Sequence, residues 1–449
     1  MDLARDVADR LDGFYFPLDE ERGTARVVLV TDEGSRRELD FALLRGGGLE
    51  TDLAGRDFTI NAMAVDEAQQ LIDPLGGEAD LTAGEIRATG TSVFQDDPVR
   101  LLRAPRLEIE LGFRIETGTA EAIRADASLL EQPAAERVRD ELSRGLGIPG
   151  ASTFVRRLDS LGALIHVVPE LVALKGIDQS PPHRFDVWHH TLHVLDHVDG
   201  VVSTVTGEPL AAGCRALGDV PPAACGDLAR RLGQFGAEVR SHLAAEVSDG
   251  RDRLLLLRLG TLLHDIGKPR TRSADEEHRI HFYGHETEGA RAASRRLKAL
   301  RFSSQEVAWV RGMVAAHLRP AQLAREDRMT RRAVYRYFRD TGDVGVDTIL
   351  LSLADHLATW GPNLREARWA RRLDVAELLL YHYFERPDQI IRPKLPVDGN
   401  DLMRVFGLDP GPEVGRLLDL LREAVAAGEV ETRQEVLALA RKSVRRSEC

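Results

Sequence analysis

Apolar residues recur every third or fourth position from Asp97 almost to the end of the chain. At this spacing side chains share one face of an α-helix, so the pattern predicts a long, all-helical body. The segment in front of it differs, because the runs at 25–31 and 36–44 read as two strands joined by the turn DEGS at 32–35. The sequence therefore predicts a mainly α fold that begins with a small α/β segment.

The composition excludes several classes of protein. No apolar run reaches the ~18 residues that a membrane helix needs, and the acidic, amphipathic N-terminus is unlike a signal or transit peptide. The three cysteines show no metal-ligand spacing, which is typical of a reduced, cytoplasmic protein. A net charge of −12 argues against a general binder of polyanions.

Positive charge is nevertheless concentrated in three segments, at 291–301, 325–340 and 365–372. Salt-bridged helix faces would explain this clustering, and so would a local basic surface for phosphate groups. The sequence leaves both explanations open.

A shift in composition marks residues 201–250. This stretch is rich in Gly, Pro and Ala, residues that are common in turns and loops. We expect an inserted loop between two helices here.

The stretch RLLLLRLGTLLHDIGKP at 253–269 combines an apolar helix with a polar end. His264 and Asp265 close the helix, and Gly267 and Pro269 follow them directly. A carboxylate at the end of a buried helix is costly unless it is paired or binds a cation. Adjacent helical residues point about 100° apart, so one ion contacts both side chains only near a helix end.

Further histidines and an aspartate accompany this pair, and their order along the chain is informative. The series His, His-Asp, His, His, Asp resembles the HD superfamily of metal-dependent phosphohydrolases. The resemblance implies a divalent ion of Mn, Fe, Ni, Co, Zn or Mg. It also implies catalytic roles for His264, Asp265 and Lys268. The implied metal ligands are His190, His264, Asp265 and Asp355, with His285 and His317 as candidates for a second ion.

A second constellation lies in DLAGRDFTINAMAVD at 52–66, where polar residues alternate with apolar ones. It resembles the RRDFTINA motif of the class II tRNA nucleotidyltransferase and poly(A) polymerase family, which builds or repairs the CCA end of tRNA. Similar motifs follow in the family's order: a hinge motif at 73–90, a nucleobase-reading motif from 94 onward and a helical motif at 136–142. The C-terminal segment resembles the tail of members that carry an HD domain.

The resemblance implies a nucleotide site. Asp97 and Arg100 would pair with the edge of an incoming C or A, and Arg56 would face the triphosphate. Asn61 would hold the sugar or the loop. The implied nucleotide-binding set is Arg56, Asp57, Asn61, Asp97, Arg100 and Arg103.

The segment ELDFALLRG at 38–46 matches the strand that carries the family's third catalytic carboxylate, here Asp40. The other two carboxylates belong to a D-x-D strand that follows a GGxVRD turn, and this sequence contains neither motif. Nucleotidyl transfer with two Mg²⁺ ions needs all three. We therefore expect inefficient addition by the chain as written, and a native start upstream of Met1.

These resemblances imply four domains. We expect a partial, polymerase-β-like nucleotidyltransferase head at 1–92, a helical RNA-binding neck at 93–175, an HD domain at 176–362 with an insert at about 200–250, and a helical tail at 363–449. The implied partners are tRNA or other RNA 3′ ends, CTP and ATP, without DNA or a membrane. A stand-alone HD phosphohydrolase is the alternative, and a non-catalytic tRNA-binding module is a second one.

Overall fold

The computed structural model describes residues 2–20, 23–30, 35–210 and 217–447. Most of the turn predicted at 32–35 lies outside these residues, as do Cys214 and Cys449. The chain divides into two compact units, Met1–Arg100 with Phe113–Ala122, and Leu101–Gly112 with Ile123–Cys449. Among the described residues, no helix has the length and apolar character required to cross a membrane.

The first unit begins with a three-stranded antiparallel sheet in the order β1-β2-β3, which confirms the predicted hairpin strands. Alternation along β2 turns Ala25 and Val27 towards Ala4 and Ala8 of helix α1, and these four side chains form a small core. The first elements are α1 (Asp2–Arg10), β1 (Phe14–Asp19), β2 (Thr24–Val30), β3 (Arg36–Ala42) and α2 (Leu49–Ala54).

The rest of the first unit surrounds the segment 55–63. Phe58 is fully buried, and Thr59 Oγ1 donates a hydrogen bond of 2.6 Å to the buried Asp80. Asp80 also binds the Arg87 guanidinium, so this segment is held by both apolar and ionic contacts. The elements are β4 (Ala64–Val65), β5 (Leu71–Ile72), α3 (Gly77–Ala83), β6 (Glu85–Ile86), α4 (Val93–Asp96), β7 (Arg114–Ile115) and the first part of α6 (Thr117–Asp126). Helix α5 (Arg100–Glu110), which precedes β7 in the chain, belongs to the second unit from Leu101 onward.

The second unit is almost entirely helical, as the periodicity predicts. A large core packs the long apolar helices α11 and α20 against α12, α13 and α21. The first half contains α7 (Ala135–Gly147), α8 (Ala151–Ser160), α9 (Leu164–Val167), α10 (Pro169–Val172), α11 (Val187–Thr206), α12 (Pro222–Leu232), α13 (Gly236–Leu243), β8 (Glu246–Ser248), β9 (Arg251–Asp252) and α14 (Arg253–Leu263).

The second half continues the helical pattern and ends in a separate small core formed by the last three helices and residues just before them. It contains α15 (Lys268–Thr271), β10 (Arg272–Ala274), β11 (Ile280–Phe282), α16 (His285–Ala299), α17 (Ser304–Ala316), α18 (Arg319–Leu323), α19 (Arg331–Thr341), α20 (Val344–Trp360), α21 (Glu366–Leu380), α22 (Pro387–Ile390), α23 (Gly399–Phe406), α24 (Pro412–Ala427) and α25 (Arg433–Ser447).

The loop expected over 201–250 is a wrong prediction for most of that range. Helix α11 continues to Thr206, and α12 and α13 follow it. The residues Leu228, Leu232 and Val239 are fully buried. Their apolar side chains supply a helical face that outweighs the Gly, Pro and Ala content of the segment.

Candidate functional site

Five helices of the second unit bring the six predicted metal-ligating side chains together. Helix α11 carries one of them, the turn after α14 carries the His-Asp pair, and the N-terminus of α16, the end of α17 and the middle of α20 supply the others. These six are His190, His264, Asp265, His285, His317 and Asp355.

The six side chains form two adjacent groups of potential ligands. In each group the ligand atoms lie within 4.8 Å of one another; one group is His190, His264 and Asp355, and the other is Asp265, His285 and His317. The two groups meet where His264 Nε2 lies 3.1 Å from Asp265 Oδ2. One centre with room for one or two cations follows from this arrangement.

Three of the histidine rings are oriented by their own helix ends. In each, Nδ1 lies 2.7 Å from the backbone carbonyl three residues earlier, which is Thr261 for His264, Phe282 for His285 and Val314 for His317. A carbonyl only accepts, so Nδ1 carries a proton and Nε2 is the nitrogen that faces the centre. This arrangement is typical of metal-ligating histidines, whose second nitrogen is held by a hydrogen bond.

Two polar atoms at the centre, His264 Nε2 and Asp265 Oδ2, are buried 3.1 Å from each other, and Lys268 Nζ lies 2.7 Å from Oδ2. Polar atoms buried this deeply are costly unless they are paired or bind a cation. Asp265 stays ionised, because burial raises its pKa but the neighbouring His264 and Lys268 lower it further, to well below the ordinary value. A lone pair and a carboxylate in this state fit a divalent cation, and imidazole with carboxylate is a donor set that transition metals accept.

Lys268 lies inside this centre. Its Nζ is 2.7 Å from Asp265 Oδ2 and donates a hydrogen bond of 2.6 Å to Gln179 Oε1. Sequence reasoning did not identify Gln179, nor His183, whose ring lies 5.2 Å from that of His190. The polar segment QSPPHRFD, which directly precedes the helix that carries His190, could have indicated both residues.

The centre opens to solvent on one side. The side chain of Asp355 is 25% exposed, whereas those of His190, His264 and Asp265 are at most 2% exposed. Asp355 accepts a hydrogen bond of 3.0 Å from His190, and this bond holds the pKa of Asp355 below its ordinary value against the effect of burial. Asp355 is therefore the most exposed of these side chains.

The first unit holds the predicted nucleotide-binding loop. Arg56 is ion-paired with Asp52 at 3.1 Å, which leaves its side chain 51% exposed. Asp57 is buried, and its Oδ1 accepts hydrogen bonds from the backbone N–H of Phe58 and from the Asn61 side chain. Asp57 and Asn61 thus fix the loop, while Arg56 remains accessible to an anion.

Arg100 is buried against the same loop. Its guanidinium donates to the backbone carbonyls of Gly55 and Val93, at 2.9 and 3.3 Å, and its Nε lies 4.0 Å from Asp97 Oδ2. Asp97 and Arg100 therefore form the i, i+3 ion pair that their spacing allows, and Arg100 ties the loop to helix α4.

Arg103 belongs to the second unit. Its carboxylate partner there, Glu141, was not identified from the sequence. Glu141 of α7 is almost fully buried and binds Arg106, with Arg144 at 3.4 Å and Arg103 at 3.9 Å. A buried carboxylate among three arginines organises the start of the helical body.

Asp40 lies on β3 opposite Arg26 of β2. Arg26 donates two hydrogen bonds to its carboxylate, at 2.7 and 2.9 Å, and this contact holds the pKa of Asp40 below its ordinary value. Both side chains are partly exposed, so Asp40 forms a cross-strand ion pair at the surface of the sheet.

Family profiles match four segments of the chain. The poly A polymerase head domain matches residues 21–87, and the probable RNA- and SrmB-binding site of polymerase A matches residues 112–174. The HD domain matches residues 225–360, a range that begins after His190. The putative tRNA nucleotidyltransferase domain 2 matches residues 368–440.

Similar proteins extend over almost the whole chain. An A-adding tRNA nucleotidyltransferase of Deinococcus radiodurans is 34% identical over 97% of this chain and 87% of its own length. A CC-adding tRNA nucleotidyltransferase of Geobacter sulfurreducens is also 34% identical, over 97% of this chain and 83% of its own length. The fold resembles that of the Thermotoga maritima CCA-adding enzyme complexed with tRNA, with a TM-score of 0.54, 19% identity and coverage of 99% of this chain and 84% of that one. The expected family is thereby confirmed: this chain belongs to the CCA-adding tRNA nucleotidyltransferases and carries an HD domain.

Proposed function

We propose that the HD centre is a divalent-metal phosphohydrolase site that acts on phosphate groups at RNA 3′ ends. The observation that carries this proposal is the convergence of three Nδ1-anchored histidines on two ionised carboxylates in a buried pocket. The substrates would be phosphomonoesters or 2′,3′-cyclic phosphates, so that damaged ends are trimmed before nucleotides are added.

The protein side chains have separate roles in this proposal. His190, His264 and Asp355 would hold one ion, and Asp265, with His285 and His317, a second one. Lys268 neutralises Asp265 and is itself positioned by Gln179. A bound ion of Mn, Fe, Ni, Co, Zn or Mg would lower the pKa of a water molecule and polarise phosphate oxygens.

The test compares the metal content and activity of the purified chain with those of His264→Ala and Asp265→Ala. The substrate is a short oligoribonucleotide that ends in a 2′,3′-cyclic phosphate. Both variants should lose bound metal and hydrolysis. His278→Asn is the matched control, because His278 is exposed on the β10–β11 turn at φ 61°, a conformation that Asn tolerates. Unchanged hydrolysis in His264→Ala would contradict the proposal, as would hydrolysis that survives complete removal of metal.

We also propose that the head is of the type that transfers CMP or AMP from CTP and ATP to tRNA 3′ ends with Mg²⁺, and that addition by the chain as written is inefficient because the D-x-D carboxylates are absent from its sequence. The observation in its favour is the loop 55–61, held by Asp57, Asn61 and the backbone contacts of Arg100, with Arg56 exposed beside it. Of the three carboxylates that the family resemblance implies, the sequence supplies Asp40.

The test measures CMP and AMP incorporation separately, on tRNA transcripts that end before the first C, after CC, or in CCA. Asp97→Ala should abolish incorporation because its carboxylate would read the base. Asp96→Ala, the adjacent residue that binds Ser92, is the control and should retain it. If no transcript is extended while hydrolysis persists, the stand-alone HD phosphohydrolase remains. If tRNA binds in the presence of chelator without either reaction, the chain acts as an RNA-binding module.

We further propose that the domains end at residues 92, 175 and 362, and that the protein is located in the cytoplasm. The four matched profile segments, 21–87, 112–174, 225–360 and 368–440, follow the same order as these domains and support this division.

A further inference from the structure

The three basic segments differ in how their arginines are satisfied. In the segment 325–340, Arg332, Arg336 and Arg339 all bind Glu423 of α24. In the segment 291–301, Arg296 binds Glu170, and two other arginines lie within 4 Å of Glu288. The positive charge of most of these side chains is therefore neutralised by carboxylates, as expected for salt-bridged helix faces.

The segment 365–372 is different for all of its arginines except Arg371, which lies 3.9 Å from Asp374. Within the described ranges of the chain, no carboxylate oxygen lies within 4.0 Å of Arg365, Arg368 or Arg372, and the same is true of Arg325 after α18. In a chain with 72 acidic and 60 basic residues, four neighbouring arginines without an acidic partner require a specific explanation.

The four arginines, called here the Trp360 cluster, are held close together. The guanidinium carbons of Arg365 and Arg368 lie 5.3 and 5.0 Å from the centre of the Trp360 ring, and Arg372 donates to Ser352 Oγ at 3.4 Å. Burial lowers the pKa of Arg372, and repulsion by Arg325 and Arg368 lowers it further, while the attraction of Asp355 opposes this. Like charges this close repel one another unless an anion binds between them.

The Trp360 cluster adjoins the C-terminal end of the helix that carries Asp355. Asp355, the most exposed of the candidate ligands, belongs to the same helix as Trp360, and its charge acts on Arg372 without an ion-pair contact. Thr359 donates to Asp355 at 3.4 Å, so the last turn of α20 joins the candidate metal ligands to the ring that the arginines surround. An anionic chain that enters past Asp355 would meet these guanidinium groups.

We propose that the Trp360 cluster binds the backbone phosphates of an RNA 3′ end and thereby presents its terminal phosphate to the HD centre. The inference rests on the proposed hydrolase function and deepens it, because it makes an oligoribonucleotide the substrate rather than a mononucleotide. Arginine suits this role, since its planar fork donates to two phosphate oxygens at once and its charge persists when partly buried.

The experiment compares two substrates of the same chemistry and different length. Cytidine 2′,3′-cyclic phosphate has only the reacting phosphate, whereas a short oligoribonucleotide ending in 2′,3′-cyclic phosphate also has flanking phosphates. In Arg365→Ala and Arg368→Ala, KM for the oligonucleotide should rise by roughly tenfold for each arginine that is replaced. Turnover of the mononucleotide should stay as in the unmodified chain, and kcat on both substrates should be retained.

Salt supplies a second readout. The logarithmic dependence of oligonucleotide affinity on salt should become shallower by about 0.7 for each arginine removed. Arg336→Ala, which removes an arginine that is ion-paired with Glu423, is the matched control and should leave KM and the salt dependence unchanged. If Arg336→Ala loses as much affinity for the oligonucleotide as Arg368→Ala does, the assignment of the Trp360 cluster as the RNA-binding surface is overturned.

Binding without turnover separates this inference from the proposed function. Fluorescence anisotropy of the labelled oligonucleotide in chelator reports affinity alone. Suppose that the unmodified chain hydrolyses neither substrate but binds the oligonucleotide, and that Arg368→Ala binds it more weakly. The hydrolase proposal then fails and the RNA-binding surface stands. If both substrates are hydrolysed and Arg368→Ala changes neither binding nor KM, or if polyglutamate competes as well as RNA does, the RNA surface is refuted.

Discussion

His285 and His317 face each other through their Nε2 atoms, which lie 3.2 Å apart in the buried centre. The Nδ1 of each ring donates to a backbone carbonyl, so neither neutral ring has a proton to place between the two nitrogens. Burial, followed by repulsion from His264 and His285, lowers the pKa of His317 to about 3. His317 is therefore neutral at physiological pH, and a shared cation is the natural way to join the two lone pairs.

Replacing His317 by Gln should remove one of two bound ions rather than both. The group formed by His190, His264 and Asp355 keeps all of its ligands in this variant, so metal content should fall by about one ion per chain. Inductively coupled plasma mass spectrometry on the purified protein measures this. Metal content that is unchanged, or that falls to zero as in His264→Ala, would contradict a two-ion centre.

Gly267 should not tolerate a side chain. A Cβ at this position would lie 2.2 Å from the carbonyl oxygen of His285 and 2.6 Å from the N–H nitrogen of Gly289, and the backbone of α16 cannot yield without moving His285. We expect Gly267→Ala to lower the free energy of unfolding by about 1–3 kcal/mol and to weaken metal binding. Urea denaturation and metal titration measure the two effects.

Gly312→Ala is the control for this substitution. It lies within α17, and its nearest neighbouring atom would be 3.7 Å from the new Cβ. The change should stabilise the helix by up to about 1 kcal/mol. Equal destabilisation by both alanines would refute the steric argument.

Glu141→Gln should destabilise the helical body. The substitution leaves three arginines without their shared carboxylate, and the partners include the largely buried Arg106. Loss of one member of a buried ion pair costs about 3–5 kcal/mol. Arg144→Gln removes the most exposed of these partners, at 64% exposure, and should cost less than about 1 kcal/mol. Comparable losses in chemical denaturation for both variants would be inconsistent with this account.

Asp40→Asn should lower the catalytic activity of the head without lowering its stability to a comparable degree. Because the Arg26 pair is exposed, its removal should change the stability of the sheet by no more than about 1 kcal/mol. Any addition activity should nevertheless fall by at least about a hundredfold if the carboxylate binds catalytic metal. Glu38→Gln removes the other acidic partner of Arg26 and should retain that activity. Equal activity in the two variants would exclude a catalytic role for Asp40.

The stability of the chain should depend on His193 below pH 7. Burial and repulsion by Arg156 lower the pKa of His193 to about 4, while Asp196 and Asp219 oppose the shift and His197 adds to it. The unfolded chain binds this proton near pH 6.5, so stability is lost as pH falls from 6.5 towards 4. His193→Phe preserves the stacking on Phe185 and should make the metal-free protein lose less stability between pH 7 and pH 5. An identical pH dependence in urea denaturation would contradict this assignment.

Local patterns were sufficient to predict a large part of the molecule. The helical body follows from apolar residues at helical spacing, and the hairpin strands from alternation, because both depend on residues that are neighbours in sequence. The prediction at 201–250 was wrong because Gly, Pro and Ala content was given more weight than Leu228, Leu232 and Val239, which form a buried helical face. Composition alone does not report which face of a segment finds a partner.

The sequence by itself determined the family, the order of the elements and the residue types that could bind metal or nucleotide. Only the tertiary structure decided which of these side chains meet: it joins His190 to Asp355 across 165 positions of the chain and gives Glu141 its arginines. It also neutralises the arginines that bind Glu423, while those around Trp360 remain without an acidic partner within the described chain. The physical reason is that periodicity is encoded locally, whereas burial, ion pairing and ligand geometry arise from packing between helices far apart in sequence.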